Sequence, residues 1–270
     1  MKVFTRILLI LGIILAIAGI GYVGYGFYLK ATTNISNPVA TMEVEDYGTI
    51  KIELYPDKAP NTVANFIRLA NRGFYNGLTF HRTIPGFMIQ GGDKTGSGSG
   101  SPSLSDIQDN VSADKEYNIP GEFIANGYAK NNLKHTAGII SMARTDYSQY
   151  NSALTTYGYN SAGSQFFIMT NDNTQLDGLY AAFGKVLEGM DVVEKIASTE
   201  VTYRNSELKE GETAPKDEDG NTIASDRPKK LPVIKSISVE TYGVDYGMPE
   251  TLDVFDYYTW LMQQYGMSAQ

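Results

Sequence analysis

The chain has 270 residues, a net charge of −8 and no cysteine, and these totals exclude several kinds of protein. Without cysteine it can hold no disulfide, no thiolate zinc site, no thiol nucleophile and no lipid-modified cysteine anchor. With only two histidines, His81 and His135, a three-histidine metal centre is also excluded. Acidic residues outnumber basic ones, 30 against 22, so the surface as a whole does not favour nucleic acid. Hydrophobic residues make up 42% of the chain, which predicts a folded domain with a core.

The N-terminus carries a long apolar segment. Residues 7–29 contain no charged side chain, and a helix of that length spans roughly 35 Å, enough to cross the ~30 Å hydrocarbon core of a bilayer. Lys2 and Arg6 precede the segment, which favours a cytoplasmic N-terminus and an exported domain. We therefore predict a signal anchor or transmembrane helix over residues 1–29. A signal peptide cleaved near residues 16–18 (Ala-Ile-Ala) is the alternative, and it exports the domain as well.

After a polar linker at residues 30–38, the chain is predicted to be rich in β-strands. Ala40–Val44 and Thr49–Tyr55 alternate in polarity around the turn Asp-Tyr-Gly, which is typical of a hairpin. Six further short runs are typical of strands: Leu78–Thr83, Phe87–Gln90, Gly138–Ala143, Gln165–Thr170, Ala182–Val186 and Pro232–Val239. Because helices do not follow these strands regularly, the pattern predicts a barrel rather than a parallel α/β sheet.

Two helices are predicted within this β-rich region. The first, Ala59–Asn71, has Pro60 in its first turn, an apolar face, and Gly73 just beyond its end. The second is the short segment Met190–Ser198. Together they are expected to cap the ends of the barrel.

Three stretches are predicted to be insertions between strands, and a tail follows the last strand. The insertions are a flexible Gly/Ser-rich loop at Gly96–Asp114, a Tyr/Ser/Asn-rich segment at Asp146–Asn160 and a charged segment at Glu207–Lys230. Within the tail, residues 247–270, an amphipathic helix is expected over 249–265. It either packs back on the domain or binds a partner.

One segment concentrates chemistry that the rest of the chain lacks. The Gly/Ser run is not followed by the Gly-Lys-Ser/Thr of a phosphate loop, and no Gly-x-Ser-x-Gly nucleophile motif is present. By contrast, residues 80–93 (FHRTIPGFMIQGGD) place an arginine, Arg82, among apolar residues. Its guanidinium is a permanent cation with five rigid donors beside an apolar pocket. Alternatively, the stem of Arg82 covers the core while its head reaches water.

Residues 80–93 resemble the signature of the cyclophilins, a family of peptidyl-prolyl cis-trans isomerases. Two further blocks resemble the family in the same order: residues 133–144 (LKHTAGIISMAR) and 164–170 (SQFFIMT), the latter continuing to LDG and FGKV. The resemblance covers residues 39–246 and implies a closed eight-stranded antiparallel barrel with a helix at each end. The Met-Ala-Arg at 142–144 is similar to bacterial members.

The resemblance also implies which residues form the site. Arg82 matches the catalytic arginine, and Gln90 matches the glutamine that orients it. The walls of the proline pocket and the remainder of the groove are matched by Phe87, Met88, Phe167, Leu176, Gln165, Ala143, Arg144 and Tyr180. The neighbouring Phe166 is expected to be core, and both histidines to be structural.

The resemblance implies proline-containing polypeptides as substrates and no cofactor or metal. Tyr180 stands where many members have histidine, and Gln175 stands where cyclosporin-sensitive members have tryptophan, so weak cyclosporin binding is expected.

We therefore predict a membrane-anchored, extracytoplasmic prolyl isomerase that assists the folding of exported proteins. If the N-terminal segment is cleaved, the enzyme is secreted. The alternatives are a non-catalytic scaffold that binds proline peptides, or an assembly subunit at the membrane that docks with a partner through the 249–265 tail.

Overall fold

The computed structural model describes residue 15 and residues 19–22, 36–209, 212–217 and 220–265. The chain divides into two compact units, residues 1–36 and residues 37–270. In the first unit residues 15 and 19–22 are helical, whereas residue 36 has no regular secondary structure. Most of the predicted membrane helix, the possible cleavage site and most of the linker lie outside the described residues. Within the described part of the chain, no helix is long and apolar enough to cross a membrane.

The second unit is built around one large antiparallel sheet. Its described residues form ten strands, in chain order β1 (Val39–Val44), β2 (Gly48–Leu54), β3 (Phe80–Ile84), β4 (Met88–Gly91), β5 (Tyr117–Asn118), β6 (Ile139–Met142), β7 (Phe166–Met169), β8 (Ala182–Glu188), β9 (Ile234–Glu240) and β10 (Leu252–Asp253). Eight of them form the sheet, in the order β3-β4-β7-β6-β8-β2-β1-β9, and β5 pairs with β10 separately. The prediction of eight antiparallel strands is confirmed, whereas the short β5–β10 pair was not predicted.

The large sheet curls until its outer strands, β3 and β9, meet at one corner. There Thr79 and Val233 form a single bridge, and Phe80 N–H donates to Pro232 O at 2.9 Å. No continuous ladder joins β3 to β9 within the described residues. The sheet is therefore a curled half-barrel, and the prediction of a fully closed barrel is corrected in this respect.

Side chains alternate between the two faces of the sheet, which separates the core from a second apolar layer. Ile89, Phe166 and Ile168 point inward and are fully buried in the main core. Met88, Phe167 and Met169 are the intervening residues, and they form a smaller buried cluster on the outer face. This is the two-residue period of a β-strand. It confirms that Phe166 belongs to the core while Phe167 faces elsewhere.

Both predicted capping helices are present. Helix α1 (Pro60–Asn71) buries an apolar face and stops before Gly73, whose φ of +77° suits glycine. At its start, the buried Glu122 carboxylate accepts hydrogen bonds from Asn61 N–H (3.0 Å), Thr62 N–H (2.7 Å) and the Thr62 hydroxyl (2.7 Å). A negative charge at a helix N-terminus is favourable, so Glu122 fixes α1 to the segment that follows β5.

The remaining helices are short. Helices α2 (Leu104–Ile107) and α3 (Thr155–Tyr159) lie in the first two insertions. The second capping helix, α4 (Met190–Ala197), buries Val192, Val193 and Ile196. Helix α5 (Tyr257–Gln264) lies in the tail and has no buried residue.

The tail packs back on the domain. The ring of Phe255 stacks on Tyr157 with centroids 4.1 Å apart and meets Tyr147 edge-on at 5.1 Å. Tyr257 contacts Tyr150 at 5.4 Å. Of the two interpretations of the tail, these contacts support packing on the domain, specifically on the insertion at residues 146–160.

Candidate functional site

A β-bulge places Arg82 on the outer face of the sheet. Phe80 pairs with Gly91 and Arg82 pairs with Gln90, so His81 has no partner in the register. In a regular strand residues 80 and 82 would point to the same face, so without the bulge Arg82 would share the face of Phe80, which is buried in the core. A bulge commonly re-aims a side chain in this way.

The outer face carries a row of polar and aromatic side chains across four strands. Arg82 on β3 pairs with Gln90 on β4, Gln90 pairs with Phe167 on β7, and Phe167 pairs with Ser141 on β6. Because residues directly opposite each other in a sheet are neighbours, the guanidinium and the aromatic ring come to one site from distant parts of the sequence.

This row borders a cavity of about 130 Å³ on the outer face. Its lining contains every predicted site residue except Gln165: Arg82, Phe87, Met88, Gln90, Ala143, Arg144, Phe167, Leu176 and Tyr180. Ala143 and Arg144 lie just beyond the end of β6, where Ala143 N–H donates to Gln165 O at 2.9 Å. The cavity thus combines apolar walls with two permanent cations.

The apolar wall is held in shape by aromatic contacts. Tyr180 meets Phe167 edge-on, with centroids 5.5 Å apart. Behind them, the buried His135 ring lies parallel to Phe167 at 6.0 Å, and its Nε2 is 2.9 Å from Ser141 Oγ. Burial lowers the pKa of His135, so the ring behind the wall is neutral at physiological pH. Edge-to-face pairs of this kind fix ring orientation, so the wall is preorganised.

Arg144 is fixed at the other side of the cavity. Its guanidinium carbon lies 4.6 Å from the Tyr180 ring centroid and 5.0 Å from that of Tyr159, which is the geometry of a cation–π contact. Its Nε also donates to Leu179 O at 3.0 Å. The Arg144 guanidinium is therefore held by aromatic and backbone contacts, whereas fewer contacts hold the guanidinium of Arg82 at the cavity.

Gln165 lines an adjacent cavity of about 90 Å³, which shares Gln90, Ala143 and Arg144 with the first. The Gln165 amide donates to the carbonyls of Gly98 and Gly100, both at 3.1 Å. The Gly/Ser run was predicted to be a flexible loop, but here it forms part of the wall.

The carboxylate of Asp93 organises this Gly/Ser loop. It accepts hydrogen bonds from Thr95 N–H at 2.8 Å and from Gly98 N–H. Burial alone would raise the pKa of Asp93, but these bonds outweigh it and hold the pKa below its usual range. The carboxylate therefore stays charged at physiological pH and keeps the loop in place.

The hydrogen bond of Gln90 differs from the one implied by the resemblance. The Gln90 side-chain amide donates to Gln165 Oε1 at 3.0 Å. Among the described residues, the ionic partner of Arg82 is the carboxylate of Asp226, with Arg82 Nε 3.7 Å from Asp226 Oδ2. Gln90 thus lies beside Arg82 in the register while its donor is directed along the groove.

His81, the extra residue of the bulge, is buried next to the site. Burial lowers its pKa to about 4; Asp93 opposes this effect, whereas Arg227 and Arg82 add to it. Neither ring nitrogen has a hydrogen-bond partner among the described residues. His81 is therefore neutral at physiological pH and adds no charge to the cavity.

Comparison with known proteins supports the interpretation of this geometry. The family model for cyclophilin type peptidyl-prolyl cis-trans isomerases matches residues 39–237. The chain belongs to the cyclophilin family. It is accordingly a peptidyl-prolyl cis-trans isomerase, and the cavity with Arg82 lies on the matched part of the cyclophilin domain.

Bacterial relatives extend the similarity over most of their own length. Peptidyl-prolyl cis-trans isomerase B of Bacillus subtilis is 39% identical over 158 residues, which cover 58% of this cyclophilin and 90% of the relative. A peptidyl-prolyl cis-trans isomerase of Synechococcus elongatus is 41% identical over 146 residues, covering 54% and 78% respectively.

Among solved structures, a Cryptosporidium parvum cyclophilin type isomerase crystallised in the presence of the dipeptide Ala-Pro superposes with a TM-score of 0.52. It is 28% identical, and the match covers 75% of this cyclophilin and 98% of that chain.

The sequence patterns did not predict two residues that lie beside Arg82. Asp226 and Arg204 lie in or beside the charged segment at Glu207–Lys230, which was predicted only as an insertion between strands. Their one local signal is Ser-Asp-Arg-Pro at 225–228, a polar cluster ahead of β9. Nothing in that pattern indicates that the carboxylate reaches β3, because the approach depends on the curled sheet bringing the segment ahead of β9 beside β3.

Proposed function

We propose that this cyclophilin isomerises X-Pro bonds in the cavity on the outer face, with Arg82 as the catalytic residue. The observation that carries the proposal is the guanidinium of Arg82 at the edge of an apolar-walled cavity. The cavity walls would seat the proline ring, and Phe87, Met88, Phe167 and Leu176 are among the apolar side chains that line them.

The chemistry requires no bond to be made or broken. Amide resonance sets a barrier of about 18–20 kcal/mol, and uncatalysed exchange at proline takes ~10–100 s. The enzyme has to bind the twisted amide more tightly than either planar isomer. In the twisted state the proline nitrogen regains a lone pair, and a donor aimed at it stabilises that state selectively. Arg82 is always charged and its donors are rigid, so it fits this role without a general base.

A variant of the wall tests the binding half of this proposal. Phe167→Ala removes the ring that forms the wall while leaving Arg82 in place, so we expect KM for a short Ala-Pro peptide to rise about tenfold or more. Phe255→Ala, an aromatic change in the tail outside the cavity lining, serves as the matched control. Equal KM values for Phe167→Ala and wild type in a protease-coupled assay would show that the proline ring binds elsewhere.

We also propose that the enzyme is bacterial, is anchored in the cell membrane and acts on exported proteins outside the cytoplasm. The uncharged segment at residues 7–29, the preceding Lys2 and Arg6, and the helical conformation of residues 19–22 support this proposal. Exported chains refold after translocation, and slow X-Pro isomerisation can limit that folding.

Localisation and cellular role have separate tests. A C-terminal fusion to a phosphatase that is active only outside the cytoplasm should be active, and N-terminal sequencing of the mature protein will show whether the segment is cleaved. An inactive but intact fusion would contradict export. Normal secretion rate and yield of all proline-rich exported proteins in a deletion strain would contradict the folding role.

A further inference from the structure

The charged segment between α4 and β9 brings a carboxylate to the proposed catalytic arginine. Asp226 Oδ2 lies 3.7 Å from Arg82 Nε, and only 12% of the Asp226 side chain is exposed, against 43% for Arg82. This distance is longer than a hydrogen bond but within the range of an ion pair. The carboxylate therefore faces the Nε edge of the guanidinium.

Asp226 is held in place by both its side chain and its backbone. Arg204 Nη1 donates to Asp226 Oδ1 at 2.9 Å, and Ser225 Oγ donates to Oδ2 at 3.0 Å. The Asp226 N–H donates to Tyr203 O at 3.0 Å, while Thr83 N–H donates to Asp226 O at 2.9 Å. The last bond ties Asp226 directly to β3, one residue beyond Arg82.

The backbone of Asp226 is itself unusual. Its φ is +62°, a left-handed conformation that residues other than glycine seldom adopt. Such conformations persist where surrounding contacts enforce them, and they are concentrated at functional sites. Here the enforcing contacts are those that hold the carboxylate toward Arg82.

The charges explain why the carboxylate matters. Arg204 Nη1 also donates to Thr83 O at 3.3 Å, so the Arg204 guanidinium approaches the strand that carries Arg82. Asp226 lies between the two cations and compensates their repulsion. Without the Asp226 charge, Arg82 would lose its ionic partner among the described residues, and the positive charge of Arg204 would no longer be compensated.

We propose that Asp226, clamped by Arg204, is a positioning residue that orients Arg82 so that its remaining donors face the cavity. This inference rests on the proposed function, in which Arg82 stabilises the twisted amide. Gln90 does not replace it, because the Gln90 amide donates to Gln165.

Asp226→Asn is the direct test, since it keeps the size and the acceptor toward Arg204 but removes the charge. We expect kcat for an Ala-Pro peptide to fall about fivefold, the equivalent of a partly exposed ion pair, while KM stays within twofold. Glu200→Gln is the matched control: Glu200 pairs with Lys229 in the same region and does not contact Arg82. It should leave kcat and KM unchanged.

A double-mutant cycle separates positioning from a general structural role. In an Arg82→Ala background, Asp226→Asn should cause no further loss of turnover, because its effect passes through Arg82. An equal loss in both backgrounds would overturn the proposal. The proposal would also be overturned if Asp226→Asn had the wild-type kcat under assay conditions in which Arg82→Ala shows no turnover.

Arg204→Gln covers the case in which Asp226→Asn does not fold. It leaves the carboxylate in the chain but removes its clamp, and we expect kcat to fall about threefold at unchanged KM. An unchanged kcat in this variant would contradict the clamp. If wild type itself showed no turnover above background, the proposed function would fail, and this outcome is distinct from failure of the positioning role.

Discussion

Mild acid is expected to destabilise the domain through His81. The buried ring has a pKa of about 4 in the folded protein, against 6.5 for an exposed histidine. Between pH 4 and pH 6.5 the His81 ring is therefore protonated in the unfolded chain but neutral in the folded protein. The stabilisation is therefore complete above pH 6.5 and is lost as the pH falls toward 4. This difference in pKa lowers the free energy of unfolding by about 1 kcal/mol at pH 5.5 and by about 3 kcal/mol at pH 4.

Urea unfolding from pH 7.5 to 4 measures this effect when wild type is compared with His81→Gln, which cannot be protonated. Carboxylates that do not act on His81, such as Asp177 with its lowered pKa, also lose stabilisation in acid, but they do so in both proteins and cancel in the comparison. We expect the free energy of unfolding to fall more steeply for wild type than for the variant between pH 6.5 and 4. Parallel pH profiles would refute the reasoning, because they would mean that His81 titrates normally.

Three further substitutions have expected effects on stability or on ligand binding. Glu122→Ala should lower the free energy of unfolding in urea by about 2–3 kcal/mol, because the amides of the first turn of α1 lose their acceptor. Glu122→Gln should lower it less. A loss below about 0.5 kcal/mol for Glu122→Ala would contradict this capping role. Gly92→Ala should cost about 2 kcal/mol or more, because its φ is +81° and a Cβ would lie 2.6 Å from Ser164 O. Gly77→Ala is the control, because Gly77 has a φ of +82° but a Cβ there would have no atom within 4 Å; it should lower the free energy of unfolding less than Gly92→Ala. Equal losses in the two variants would mean that backbone strain, and not the close contact, causes the whole effect. Gln175→Trp should tighten cyclosporin binding about tenfold by titration calorimetry, through an added donor and apolar area; equal affinities would contradict the assignment of that position.

The strands and capping helices could be predicted because their signals are local. The alternation in β1 and β2 and the start of α1 at Pro60 can be recognised from residues that are neighbours in the sequence. The separation of Phe166 from Phe167 follows from the same two-residue period. The residues of the cavity were predicted through the resemblance of three blocks to one family.

The remainder depends on long-range geometry. The bulge at His81 turns Arg82 outward, yet nothing in the local pattern distinguishes it from a regular strand. The pairing of Asp226 with Arg82 arises only when the sheet curls and brings its ends together. The β5–β10 pair joins two strands that are each two residues long, too short to give a periodic signal.

The central claim is that Arg82 accelerates X-Pro isomerisation from the edge of the cavity, and the turnover of Arg82→Ala tests it most directly. We expect kcat/KM in a protease-coupled Ala-Pro assay to fall about a hundredfold, as for other preorganised donors, with the thermal midpoint unchanged. Arg72→Ala is the matched control: Arg72 lies on the surface after α1, pairs with Asp109 and should leave turnover intact. An Arg82→Ala enzyme that works at the wild-type rate would contradict the account.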